Sequence, residues 1–153
     1  MKHNHALFID FAKRVAEESK AIRMKVGAVL ARNGDILTFG YNGTPPGWDN
    51  TCEFWAPDVD EYGNQLPPVL VTRNDVVHAE MNVIKKMARK KDTIEGATLY
   101  LTLSPCKECA KLFLGIGLKE VIYIDEYRSS EGIELLRKDG INVTKWTGEI
   151  CDS

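Results

Sequence analysis

From Asn4 to Lys20 the apolar residues Leu7, Phe8, Phe11, Ala12, Val15 and Ala16 recur at helical spacing, with Asp10, Lys13, Arg14, Glu17 and Glu18 on the other side. An amphipathic first helix is predicted. Val26–Ala31 and Asp35–Tyr41 then read as strands, and Asn33-Gly34 between them tolerates the positive φ of a tight turn, so a β-hairpin is predicted. From Asn42 to Val77 no period is visible. The stretch holds all but one of the prolines and the aromatics Trp48, Phe54, Trp55 and Tyr62, and reads as one long functional or mobile loop.

Beyond it, a second helix is predicted from about His78 to Lys91, with Met81, Ile84 and Met87 on its inner face and Lys85, Lys86, Arg89 and Lys90 as a solvated outer face. Ala97–Leu103 reads as a strand, Cys106–Ile116 as a helix and Glu120–Asp125 as a strand rich in β-branched residues. Ser129 or Ser130 would cap a further helix running to about Asp139, Gly140 would end it, and Ile141–Trp146 would form the last strand. A β-α-β unit of this kind makes its two strands parallel through a right-handed crossover. The architecture expected is α/β, a mixed sheet with helices on its faces, in a single domain over residues 1–153.

Composition narrows the class. At 153 residues the chain is long enough for one buried core. Twenty Lys and Arg against twenty-two Asp and Glu give a net charge of −2, which lacks the basic footprint of a polynucleotide binder. No apolar run approaches the roughly 18–20 residues of a membrane span, and Asp10, Lys13 and Arg14 stand where a secretory signal would be apolar. The expectation is a cytoplasmic protein without membrane or polynucleotide partners. Four cysteines in that setting suggest a metal or redox site before disulfides.

Cys106-Lys107-Glu108-Cys109 places two thiols three positions apart at a predicted helix start, where the helix dipole favours thiolates. Alone, the pair could be a redox couple, half of a structural zinc site or two buried small residues. His78-Ala79-Glu80, 28 positions upstream, opens another predicted helix. His78, Cys106 and Cys109 would supply three ligands and leave the fourth zinc position open, the pattern of a catalytic rather than a structural site. Glu80 would stand beside the ion and move protons; His-x-Glu with Pro-Cys-x-x-Cys is the general signature of zinc deaminases. Cys52 and Cys151 are left over, as free thiols or, for Cys52 with His3 and His5, a second metal site.

The runs Lys25-Val26-Gly27-Ala28-Val29, Gly40-Tyr41-Asn42-Gly43-Thr44-Pro45, His78-Ala79-Glu80-Met81-Asn82 and Leu103-Ser104-Pro105-Cys106-Lys107-Glu108-Cys109-Ala110 together resemble the deoxycytidylate deaminases of the cytidine deaminase superfamily, including their phage members. The resemblance covers about residues 5 to 146. It implies a three-layer α/β/α fold, a five-stranded mixed sheet with the last two strands parallel, and hydrolysis of dCMP to dUMP and ammonia. In that chemistry Glu80 shuttles protons between a zinc-activated water, cytosine N3 and the departing amino group, a contribution of roughly 10²- to 10⁴-fold.

The same resemblance implies that Asn42 lies at the sugar, that Thr44 is among the substrate-binding residues, that the backbone at Ala79 and Ser104 meets the pyrimidine edge, and that Tyr127 closes over sugar and phosphate. Asn42 could instead be a left-handed turn residue beside Gly43. Lys25 and Arg128 are the nearest basic candidates for the 5′-phosphate. A homo-oligomer, with a hexamer favoured, and control by dCTP and by dTTP with Mg²⁺ are further implications, as is a host cytoplasm for a phage-encoded chain. The competing expectations are a deaminase acting on cytosine or adenine in tRNA or single-stranded DNA, and a non-catalytic zinc module.

Overall fold

In the computed structural model, which describes residues 4–148, Asn33 and Gly34 have φ of 53° and 84° and join β1 (Gly27–Arg32) to β2 (Asp35–Tyr41) as an antiparallel hairpin. The first helix, α1, is His5–Ala16; the amides of Glu17, Glu18 and Ser19 bond three residues back, so the predicted run to Lys20 ends in tightened turns. After β2 come β3 (Glu53–Val59), β4 (Gln65–Thr72), α2 (Ala79–Lys90), β5 (Thr98–Leu103), α3 (Lys107–Lys111), β6 (Glu120–Asp125), α4 (Glu131–Lys138) and β7 (Asn142–Lys145).

The sheet has the order β2-β1-β5-β6-β7, with β5, β6 and β7 parallel and the rest antiparallel. This is the expected mixed five-stranded sheet. Period-2 alternation of the strands divides its two faces. Val29, Ala31, Tyr100 and Ile122 face α1, whereas Ala28, Leu30, Leu99, Leu101, Val121 and Tyr123 face a larger core closed by α2, α3 and α4. Phe113 and Leu136 are wholly buried in that second layer. Burial of such side chains stabilises the fold by about 1.5–3 kcal/mol each.

Two expectations are corrected along the middle of the chain. The supposed loop 42–77 contains the antiparallel ribbon β3–β4, turned through Asp60–Gly63 with Asp60 accepting the amides of Tyr62 and Asn64. Its strands show no clean alternation because both faces are largely exposed, including Phe54, Trp55, Val59, Leu66 and Val69. Pro57, Pro67 and Pro68 are tolerated because each strand of a two-stranded ribbon has a free edge. The helix after Cys106 is also shorter than predicted: beyond Lys111 the amides of Leu112, Phe113 and Leu114 bond three residues back.

The inner face of α2 is Ala79, Glu80, Val83 and Met87, with Met81 exposed, so the apolar stripe is rotated from the predicted one. Its lysines are not simply solvated. Asn82 Nδ2, Lys86 Nζ and Lys90 Nζ donate to the carbonyls of Tyr41, Phe39 and Leu37 on the edge strand β2. The match is geometric: four helical residues rise about 6 Å and two strand residues about 6.8 Å. At the other edge, Arg137 Nη2 donates to the Val143 carbonyl at 3.0 Å. Gly40 lets α2 lie this close, since a Cβ there would stand 2.9 Å from the Ala79 carbonyl oxygen.

Candidate active site

The ends of β1, β2 and β5 and the starts of α2 and α3 converge on one cavity. His78 and Cys106 are the N-cap residues of α2 and α3, each in extended backbone, so each side chain stands just outside its helix. Cys109, three residues into α3, turns back to the same point. His78 Nδ1 lies 3.2 Å from Cys109 Sγ and 3.8 Å from Cys106 Sγ, and the donor atoms of all three lie within 4.8 Å of one another.

These separations fit a tetrahedral zinc, whose sulfur and nitrogen ligands at ordinary bond lengths stand about 3.6 Å apart. Burial runs from exposed His78 through half-buried Cys106 to buried Cys109, which leaves one side of the cluster open. The expectation that the helix start makes good thiolates is corrected for Cys109. Burial first, then Glu80 and Cys106, push its thiol well above the ordinary cysteine value. Burial likewise raises Glu80, opposed by its own backbone amide, His78 and Cys109. A buried thiol and a buried carboxyl that both resist ionisation are an environment a dication relieves.

The cavity, about 420 Å³, is lined by His78, Glu80 and Cys106, and by Asn42, Ala79, Ser104, Tyr127 and Arg128. Lys25 and Thr44 are not in its wall. Ser104, nearly fully buried, accepts the Tyr127 amide at 2.7 Å and so ties the end of β5 to the segment carrying Tyr127 and Arg128. The Arg128 guanidinium lies 5.5 Å from the Tyr127 ring centroid. Asn42 Oδ1 accepts the Val26 amide and its Nδ2 donates to the Met24 carbonyl, both at 2.8 Å. Asn42 is not left-handed, since Asn33 and Lys91 are the non-glycine residues with positive φ among those described.

The wall also contains Arg23 and Glu53, which no pattern singled out. Arg23 Nη1 donates to Thr72 Oγ1 at 3.0 Å, and the Ile22 and Arg23 amides donate to Glu53 Oε2 at 2.7 Å each. Arg23 stands two residues before Lys25, where charge alone gave no way to choose between them. Cys52 is buried, with burial chiefly raising its thiol, and His5 meets the Tyr100 hydroxyl at 2.8 Å. His3 and Cys151 lie outside the described residues. Among those described, the group able to hold an ion is His78, Cys106 and Cys109.

Residues 2–125 match the model of the cytidine and deoxycytidylate deaminase zinc-binding region. The chain belongs to that family. It is therefore an enzyme of the zinc-dependent hydrolase class, a deaminase with this fold. The deoxycytidylate deaminase of Enterobacteria phage T4 is 34% identical, over 88% of this chain and 86% of its own. That of Mus musculus is 32% identical, over 92% and 78%. The solved dCMP deaminase of cyanophage S-TIM5, in complex with dCMP and dUMP, is 38% identical with a TM-score of 0.81, covering 95% of this chain and 99% of that one. Among the described residues no helix is long and apolar enough to cross a membrane.

Proposed function

We propose that this chain hydrolyses the 4-amino group of dCMP to give dUMP and ammonia. The observation that carries the proposal is one cavity that joins the open side of the His78, Cys106 and Cys109 cluster, the carboxyl of Glu80 and two guanidinium groups, Arg23 and Arg128. The dCMP-bound cyanophage relative, alike over nearly the whole chain, supports the nucleotide chosen.

Zinc, when bound by His78, Cys106 and Cys109, supplies a Lewis acid that activates water for attack at C4. Glu80 does the proton work: it takes one proton of the attacking water as the C4–O bond forms and gives it to N3, then takes the remaining proton from the C4 hydroxyl and passes it to the amino nitrogen as the C4–N bond breaks and the C4 carbonyl forms. Its burial favours this exchange, because a carboxyl raised toward neutrality both accepts and returns a proton readily. Ala79 and Ser104 border the pyrimidine. Arg128, stacked on Tyr127, and Arg23, held by Thr72, meet the 5′-phosphate with charge-assisted donors.

Homo-oligomeric assembly, as a hexamer, and control by dCTP and by dTTP with Mg²⁺ form the finer part of the reading. Its support is the resemblance at Gly40–Pro45 and Asn82. Incubation of the zinc-loaded protein with dCMP, deoxycytidine, CMP and a cytosine-bearing oligonucleotide, followed by ammonia release, tests the substrate; dCMP is expected to be turned over fastest. A rate curve against dCMP that stays hyperbolic and is unmoved by dCTP or dTTP removes the effector control.

A further inference from the structure

Beyond its base, the ribbon β3–β4 takes no part in the proposed reaction. The hydrogen bonds that tie it to the fold sit at that base, from the Ile22 and Arg23 amides to Glu53 and from Arg23 Nη1 to Thr72, and along their length the two strands pack chiefly on each other. Trp55, Val59 and Tyr62 are 68%, 61% and 81% exposed, and Phe54, Leu66 and Val69 are exposed beside them. A two-stranded ribbon is marginal in water until something covers a face, and apolar side chains grouped in this way mark a contact surface.

Charge selects the partner. Residues 53–72 include Glu53, Asp58, Asp60 and Glu61 and not one lysine or arginine, so two ribbons brought together repel. At the end of α2 the sign is opposite, since Lys85, Lys86, Arg89, Lys90 and Lys91 fall within seven residues that contain no acid. Lys86 and Lys90 are committed to carbonyls of β2, whereas Lys85, Arg89 and Lys91 are exposed with no acidic partner among the described residues. Burial first, then Arg89 and Lys90, lower the Lys86 ammonium, a crowding of cations that an anionic neighbour relieves. Beside these cations opens a second hollow of about 200 Å³, floored by Ile84, Met87, Ile94 and Ile116. Asp92, the acid in its wall, is paired with Arg32.

We propose that the tip of the ribbon, Asp60-Glu61-Tyr62, docks on a second copy of this chain, with the Tyr62 ring in the apolar hollow at the end of α2 and Glu61 facing the free cations around it. The inference rests on the homo-oligomer reading above and names the two surfaces that carry it. Within one chain they stay apart, because the ribbon springs from the cavity at the start of α2 and the hollow lies at its end, about 18 Å on. A stable contact buries about 1,200 Å² or more, which a tip alone does not supply, so Val59 and Leu66 behind it share the interface. The two surfaces are unlike, so each copy adds a neighbour at both ends, the arrangement from which a ring closes.

The test measures mass against concentration, by sedimentation or light scattering, for the zinc-loaded wild type, for a ribbon variant, Glu61→Lys with Tyr62→Ser, and for a hollow variant, Lys85→Glu with Arg89→Glu, each alone and as an equimolar mixture. The wild type is expected to exceed the mass of one chain. Each variant alone is expected to raise the concentration of half-dissociation by roughly 30-fold or more, the range of an interfacial hot spot, with zinc content and far-ultraviolet circular dichroism unchanged. The mixture is expected to form a complex heavier than either variant alone, since the intact ribbon of one meets the intact hollow of the other. A wild type that stays monomeric at every concentration overturns both the docking and the homo-oligomer reading. An oligomeric wild type whose mass either variant leaves unchanged, or a mixture no heavier than its parts, overturns the docking alone. Should the ribbon variant fail to fold, Glu61→Lys by itself, on an exposed side chain, takes its place with the same mixing outcome.

Discussion

Gly132 of α4 packs so tightly on the loop before α3 that a Cβ on it would stand 2.2 Å from the Pro105 carbonyl oxygen and 2.9 Å from that of Cys106. Both obstacles are backbone, so neither can swing aside. Gly132→Ala would ordinarily stabilise a helix by about 1 kcal/mol. Here the sign is expected to reverse, with a loss of about 1–3 kcal/mol from overpacking and weaker zinc binding as Cys106 is pushed off its position. Thermal melting and a zinc-chelator competition measure the two effects.

Glu80→Gln keeps the shape of the side chain and removes its proton exchange. The variant is expected to retain one zinc per chain and a wild-type melting temperature while kcat on dCMP falls roughly 10²- to 10⁴-fold. Metal analysis beside single-turnover kinetics checks it. Loss of zinc together with activity would show that Glu80 supports the metal cluster instead.

Stripping the zinc exposes a pH dependence of defined sign. In the metal-free protein, burial raises Glu80 above its ordinary value of 4.5, so between 4.5 and the raised value the native state binds more protons than the unfolded one. The stabilising contribution is therefore present in full below 4.5 and is lost as pH rises through the raised value. Denaturant midpoints of the metal-free wild type should fall over that interval, and those of Glu80→Gln should fall less. Zinc binding should weaken on acidification, because the buried Cys109 thiol must release its proton to the solvent first.

Asn42→Ala leaves the Val26 amide and the Met24 carbonyl without their partner at the cavity wall. A loss of about 1–3 kcal/mol is expected, together with a raised KM as the segment 24–26 loosens. Melting curves and steady-state kinetics separate the two. An unchanged melting temperature with a raised KM would return Asn42 to direct sugar contact.

What the sequence made legible follows from how local each signal is. His78-x-Glu80 and Cys106-x-x-Cys109 carry the metal geometry in their own spacing, because a helix start fixes where residues two and three apart point. Gly34 marks the hairpin turn, and the continuous apolar runs of β1, β5 and β6 report burial on both faces, which the central strands of a sheet covered by helices on both sides enforce. The ribbon β3–β4 sends no such signal, since it buries neither face and carries three prolines. Arg23 and Glu53 were invisible for another reason. They meet across 30 positions through a backbone amide and a carboxyl oxygen, a pairing to which side-chain patterning contributes nothing. The apolar stripe of α2 was misplaced because Met81 is exposed, while Glu80, a charged residue no hydrophobicity pattern would bury, is inside.

The cations over the two outer strands bear on how copies of this chain can meet. Asn82, Lys86 and Lys90 span three carbonyls of the edge strand β2, and Arg137 caps that of Val143 on the edge strand β7, so a neighbouring strand would meet occupied acceptors along β2 and at one point of β7. Lys86→Met with Lys90→Met is expected to raise concentration-dependent aggregation, read by light scattering, with little change in kcat. Pairing a further strand onto β2 would cost those three bonds, so this border of the five-stranded sheet resists the open-ended stacking that builds a fibre.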